Sequence, residues 1–372
     1  MVRQPCFLAV LVVATACLVP PVRAAPATSP EETSTPSDST GSEGAGARPW
    51  NLSSWFRDCV WPEPECQAPD GGWACCYPTG VVGHVEYLNW AARRTNLDYA
   101  AVVNPAQLPV PATGFTRLET FTLDFARDEG LRAGIGCHFA AGWDLMWTYT
   151  QFHTEGQTAL TESNVTSLGL IPTRSIFSGT PSAIVMSSGT DKIEADGSIQ
   201  LKMHDIEGDW RYRLNETVDF RGFAGFRLAF LDEQFNNQFS FKFQGFIPEK
   251  GGIQQPIDMV AAGLRCGAEL GWRTQWGLRV FGSAAPSILV ADFKTRQFET
   301  NTLFGGTIID QTSTTVQVVP VLEAAVGVGW CHGPWEVSAG YEVSDWFNMV
   351  DVARPAQTLF LDGWFVRLAL TR

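Results

Sequence analysis

Beyond its first two dozen residues this chain of 372 residues has no long apolar run, few helix signals and no excess of positive charge. Each absence excludes something. An apolar fraction of 45% that never gathers into a stretch of about 20 residues leaves no transmembrane helix. A formal net charge of −13 argues against nucleic acid, whose phosphates need a basic surface. It is compatible with a membrane protein whose loops are acidic. No GxSxG, Walker or HExxH pattern occurs, and no CxxC pair. What is abundant is 35 Gly, 14 Trp and short alternating aliphatic segments, the composition of a twisted antiparallel sheet.

The first 25 residues read as a signal peptide. Arg3 is the positive start, Phe7 to Val19 ("FLAVLVVATACLV") the apolar stretch, and Val22 to Ala25 ("VRAA") supplies small residues for cleavage. The 39 acidic and 24 basic residues beyond Ala25 give the mature chain a charge of −15. Residues 26–49 are rich in Ser, Thr and Pro and cannot bury a core, so a disordered linker is expected. Residues 50–80 form a Cys-rich segment. Cys59, Cys66, Cys75 and Cys76 are disulfide candidates in an exported protein, in an order the spacing leaves open, with zinc ranked below.

From residue 81 to 372 the pattern is one of strands. Short turns near 142–143, 215–217, 273–275 and 331–334 alternate with long connections at 95–117, 154–197, 231–257, 294–314 and 348–358. Counting 118–141 as one strand gives about ten strands (twelve being the alternative), with every short turn at one end and every long loop at the other. A transmembrane β-barrel sorts its loops this way, with short periplasmic turns, long outer loops and an even strand number. The expected fold is therefore all-β, an antiparallel transmembrane barrel.

Strand side chains alternate between two faces. At the end of the chain Trp364, Val366, Leu368 and Leu370 share one face and Arg367 lies on the other. The apolar parity is assigned to lipid. The opposite parity is assigned to the lumen: Glu86, Arg132, Glu207, Arg211, Arg213, Arg221, Arg227, Arg265, Glu269, Arg279, Glu323, Glu342 and Arg367. Such charges must be paired when removed from bulk water. Trp143, Trp272, Trp276, Trp330 and Trp335 cluster at the short turns, as an aromatic girdle at a membrane–water interface would. A soluble sandwich has the same period of two, so the girdle and the mixed charges carry the choice.

The ordered motifs "VEYLNWAARRTNLDYA", "GWDLMWTYTQFH", "FRGFAGFRLAFLDEQFNNQF", "VPVLEAAVGVGW", "AGYEVSDWFN" and "LFLDGWFVRL" over residues 82–372 resemble the pore-forming outer-membrane proteins similar to the Legionella major outer membrane protein, a family found in planctomycetes. The resemblance implies a barrel with a pore in a Gram-negative-type outer membrane, and no catalytic residues. The Cys-rich segment and a terminal Arg372, where many such barrels end in an aromatic, depart from the pattern.

The expected function is a porin giving small solutes or ions passive passage. The alternatives are a structural or adhesive barrel without significant conductance, and a secreted soluble glycan-binding β-protein. No enzyme activity, cofactor or metal is expected. Outer-membrane lipid, small solutes or ions and further copies of the chain are the expected partners. His138 near Asp144 and His204 beside Asp205 read as lumen hydrogen-bonding groups, not catalysts. "DEQFNN" (232–237) lacks the spacing of a calcium loop and reads as a polar outer loop. Cys137, Cys266 and Cys331 read as small apolar residues.

Overall fold

The computed structural model describes residues 80–95, 97–103, 117–139, 143–161, 169–174, 190–243, 247–332, 334–350 and 357–371. The expected signal peptide and linker, and Cys59, Cys66, Cys75 and Cys76 of the Cys-rich segment, lie outside the described residues. In chain order the strands are β1 (Gly80–Arg94), β2 (Asp98–Val103), β3 (Arg117–Thr122), β4 (Arg127–Phe139), β5 (Trp143–Thr161), β6 (Gly169–Pro172), β7 (Thr190–Arg213), β8 (Val218–Phe243), β9 (Ile247–Gln254), β10 (Ile257–Arg273), β11 (Leu278–Asn301), β12 (Gly306–His332), β13 (Trp335–Met349) and β14 (Gln357–Thr371).

Ten of these close into a ring in the order β1–β4–β5–β7–β8–β10–β11–β12–β13–β14, every neighbouring pair antiparallel. β14 returns to β1 with Glu86 opposite Arg367 and Asn89 opposite Trp364. Closure pairs the backbone groups of both terminal strands, which hydrocarbon requires. The four short connections, from β4 to β5, β7 to β8, β10 to β11 and β12 to β13, all fall at one end. The Asn215 side chain accepts hydrogen bonds from the backbone N–H groups of Thr217 (2.9 Å) and Val218 (2.8 Å), which fixes the β7–β8 turn. Gly277 closes the β10–β11 turn at φ 83°, where a Cβ would also lie 2.8 Å from the Cys331 carbonyl oxygen.

At the other end the structure differs from the sequence reading. The expected loops at 231–257 and 294–314 are mostly strand: β8 runs to Phe243, β9 returns from Ile247, and β11 and β12 meet at a short 3-10 turn over residues 302–304. Residues 118–122 do not continue β4. They form β3, which joins β2 and β6 in a separate three-stranded sheet. Leu97, Tyr99, Ala100, Val102 and Leu123 of this cap segment are buried with Phe235, Phe239, Phe241 and Ile253, on the inner face of the extended wall. Hairpins long enough to leave the membrane bury an apolar inner face against a folded-back segment, as any sheet in water must.

Outside the ring the apolar parity is bare. Leu264 is 62% exposed, Ile288 64%, Val326 64% and Val366 41%. A soluble sandwich would bury this stripe, so the soluble reading fails here. Trp143, Trp272, Trp276, Trp330 and Trp335 are all exposed at or beside the short turns, and Trp210 joins Trp143 with ring centroids 5.4 Å apart. Away from the turns the outer face changes abruptly to charge, with exposed Asp232, Asp258, Asp292 and Lys294.

Candidate functional site

The interior is built in two layers, and each inward stripe of residues contributes to both. On β10 the inward parity runs Glu269, Arg265, then Ala261, Met259 and Ile257 towards the outer end. β12 runs Glu323, then Val321 and Val319; β13 runs Glu342, Ser344, then Trp346. β7 and β14 follow the same order. Charge therefore lies inside the level where the outer face is apolar. The apolar inside begins where the outer face is still apolar, beside Val260, Ile288, Val290 and Val318, and continues where that face turns polar at Asp258, Asp292 and Lys294.

The charged layer is a belt of ion pairs. Glu86 accepts from Arg132 (2.7 Å) on one side and Arg367 (2.6 Å) on the other. Arg132 also donates to Glu342 (3.1 Å), bridging β4 to β13 past β1 and β14. Arg227 forms a two-pronged contact with Asp205 (2.7 and 2.8 Å) and reaches Glu323 at 3.0 Å. Glu323 accepts from Arg265 (2.9 Å), which also pairs with Glu207. Arg279 joins Glu269 (2.5 Å) and Asp219 (2.9 Å), and Arg221 pairs with Asp209. Planar guanidinium forks suit such crowded carboxylates better than ammonium groups do. The space left among these groups is a cavity of about 180 Å³, below the 300–1,000 Å³ usual for a ligand pocket.

The apolar layer lies on the outer side of the belt. Trp346, Phe152, Phe293, Leu289, Val319 and Leu88 are each fully buried there, contributed from around the ring. Trp90 links the layers: its ring contacts Phe152, and its indole N–H donates to Glu342 at 2.9 Å. One buried ion pair crosses this level. Arg94 Nε donates to both Glu233 oxygens (3.2 and 3.0 Å), and its Nη2 donates to the Val350 carbonyl (2.8 Å). β1 and β8 are four places apart in the ring of ten, so this pair spans the lumen.

Of the sequence-predicted interior residues, twelve line this cavity: Glu86, Arg132, Glu207, Arg211, Arg221, Arg227, Arg265, Glu269, Arg279, Glu323, Glu342 and Arg367. Arg213 does not. It has the inward parity but sits exposed at the β7–β8 turn, where the stripe has already left the ring. Asp205, Asp209, Asp219, Glu336 and His84 belong to the same interior and were missed as site residues. Parity alone would have found Asp205 and Asp209, since they alternate with Glu207 and Arg211. His138 pairs with Asp144 inside, as expected. His204 is on the outer face instead, stacked 6.0 Å from Trp147 and near Tyr149 and Phe230. The stretch 232–237 is strand, not a polar loop, and Glu233 is buried at 3% exposure. Cys137 and Cys266 have the outward parity, whereas Cys331 is buried on the inward one.

At the outer tip the charges behave differently. Arg296 and Asp310 pair at 2.7 and 2.8 Å with both side chains about half exposed, and the Arg296 hydrogen bonds hold the Asp310 carboxyl below its ordinary range.

No curated protein matches the chain. Among solved structures, the outer membrane protease OmpT of Escherichia coli is 10% identical over 78% of this chain and 96% of its own, with a TM-score of 0.44. Neisserial surface protein A is 8% identical over 78% and 97%, with a TM-score of 0.24. The attachment invasion locus protein Ail of Yersinia pestis is 9% identical over 77% and 97%, with a TM-score of 0.22. The family model described as Legionella pneumophila major outer membrane protein precursor matches residues 82–367, the whole ring from β1 into β14. The chain is an outer-membrane β-barrel and belongs to the family of the Legionella major outer membrane protein.

Proposed function

We propose that the protein is a channel of low conductance for small solutes or ions, shut in the conformation described. The observation that supports passage is the polar interior at the level of the lipid. A barrel serving only as an anchor has no need to place Glu86, Arg132, Arg265 and Glu323 around a cavity that admits water. Seven Arg and eight Asp or Glu line that cavity, so the field inside is nearly balanced and ion preference should be modest.

A second reading is favoured by a specific observation. The belt charges pair with one another, and an apolar layer lies over them. An interior neutralised and covered in this way favours a structural or adhesive barrel without significant conductance. Planar-bilayer recording of the purified mature protein separates the two. Small, discrete conductance steps support the channel. A correctly folded barrel that stays silent at all voltages supports the structural reading. Glu269→Gln with Glu323→Gln should shift the reversal potential in a salt gradient if ions pass the belt.

A further inference from the structure

We propose that the outer apolar layer, latched across the lumen by the Arg94–Glu233 pair, is the closed gate of this channel, so that the resistance to passage lies there and not in the charge belt. The inference rests on the channel reading and names where that channel is shut.

Three observations lead to it. First, the belt borders a cavity, whereas the apolar side chains above it are fully buried against one another. Trp346, Phe293 and Phe152 are each 0% exposed, and apart from the Arg94–Glu233 pair the cluster they belong to is made of apolar side chains, which offer an ion no replacement for its hydration shell. Secondly, the latch is set where lateral movement of the wall would be felt. Arg94 is near the end of β1 and is fixed to Val350 at the end of β13, while Glu233 lies on β8 on the far side of the ring. The pair ties together two arcs of the wall that share no backbone pairing. Thirdly, the latch is costly by nature. Both side chains are at most 4% exposed, Arg94 sits in register with Leu359, and its Nη1 has no hydrogen-bond partner among the described residues. A buried pair of this kind contributes little net stability but fixes one arrangement against others. Loss of either partner leaves an uncompensated charge in the apolar layer. The cheapest relief is to admit water, which wets the gate.

The test is single-channel recording of the full mature chain and four variants: Glu233→Gln, Arg94→Met, the exchanged pair Arg94→Glu with Glu233→Arg, and Asp310→Asn at the exposed tip as a control. Heat-modifiable gel migration confirms the barrel in each. Both single variants should raise the open fraction at least tenfold. The exchanged pair should return it towards the wild-type value, and Asp310→Asn should leave it unchanged. Wild-type protein that conducts, with single variants indistinguishable from it, overturns the gate while leaving the channel reading intact. Single variants that open but are not restored by the exchange assign the effect to lost packing and overturn the latch. Silence of every folded variant overturns the channel reading itself.

Discussion

Replacing Val326 by Arg tests the assignment of faces at the point where it has most to lose. Val326 is on the bare outer stripe of β12, opposite Gly282 on one side and Tyr341 on the other. It lies four residues from Trp330 at the turn girdle. With a rise of about 3.3 Å per residue and a strand tilt of about 40°, that is roughly 10 Å into an apolar band about 25 Å tall, close to the midplane. Arg at that depth costs about 2–4 kcal/mol, a shift of roughly 30- to 900-fold in the folded-to-unfolded ratio. The control must be an inward neighbour that tolerates a polar atom. Gly327 does not qualify, because a Cβ there would lie 2.5 Å from the Phe281 ring and 2.8 Å from the Ala339 carbonyl. Ala325 borders the charged cavity, so Ala325→Ser adds a hydroxyl where water already reaches. Urea titration of each variant in phospholipid vesicles, read by tryptophan fluorescence and gel shift, should give a large loss for Val326→Arg and a change below about 1 kcal/mol for Ala325→Ser. Equal losses on the two faces would refute the lipid-facing assignment of this stripe.

Further outcomes follow from the same structure. Glu86→Gln leaves Arg132 and Arg367 without their shared carboxylate and should destabilise the barrel by about 3–5 kcal/mol, measured by the same titration. Trp346→Ala empties a fully buried site in the apolar layer and should cost about 3–5 kcal/mol; a neutral result would show that the layer is not packed as described. Cys59, Cys66, Cys75 and Cys76 should resist thiol labelling of the exported protein until reductant is added, and four labelled thiols would remove the disulfide framework.

Much of this molecule is written in its period of two. Alternation along β10, β12 and β14 assigns the lipid face residue by residue, and the sorting of short turns to one end gives ten strands. Both are local properties: a strand's parity and a turn's length depend on neighbours a few residues away. The sequence also supplies the girdle, because indoles at turn level need no partner beyond the membrane interface.

Three matters belong to the tertiary structure alone. Parity says that Glu233 and Glu269 share a face type but not the level at which each meets the lumen. Only ring closure, with its stagger between β1 and β14, brings Glu233 against Arg94, 139 residues away in the chain. The polar character of 232–237 argues for a loop, yet the backbone pairs as β8 because its inward residues Leu231 and Phe235 have an apolar interior to fill once the wall leaves the membrane. The sign of the inside also reverses along a single stripe. In lipid the hydrophobic effect turns apolar groups outward and leaves charges to pair within, whereas in water it turns them inward. Where that reversal falls on each stripe is set by what the side chains meet across the closed ring, and no window of sequence contains those partners.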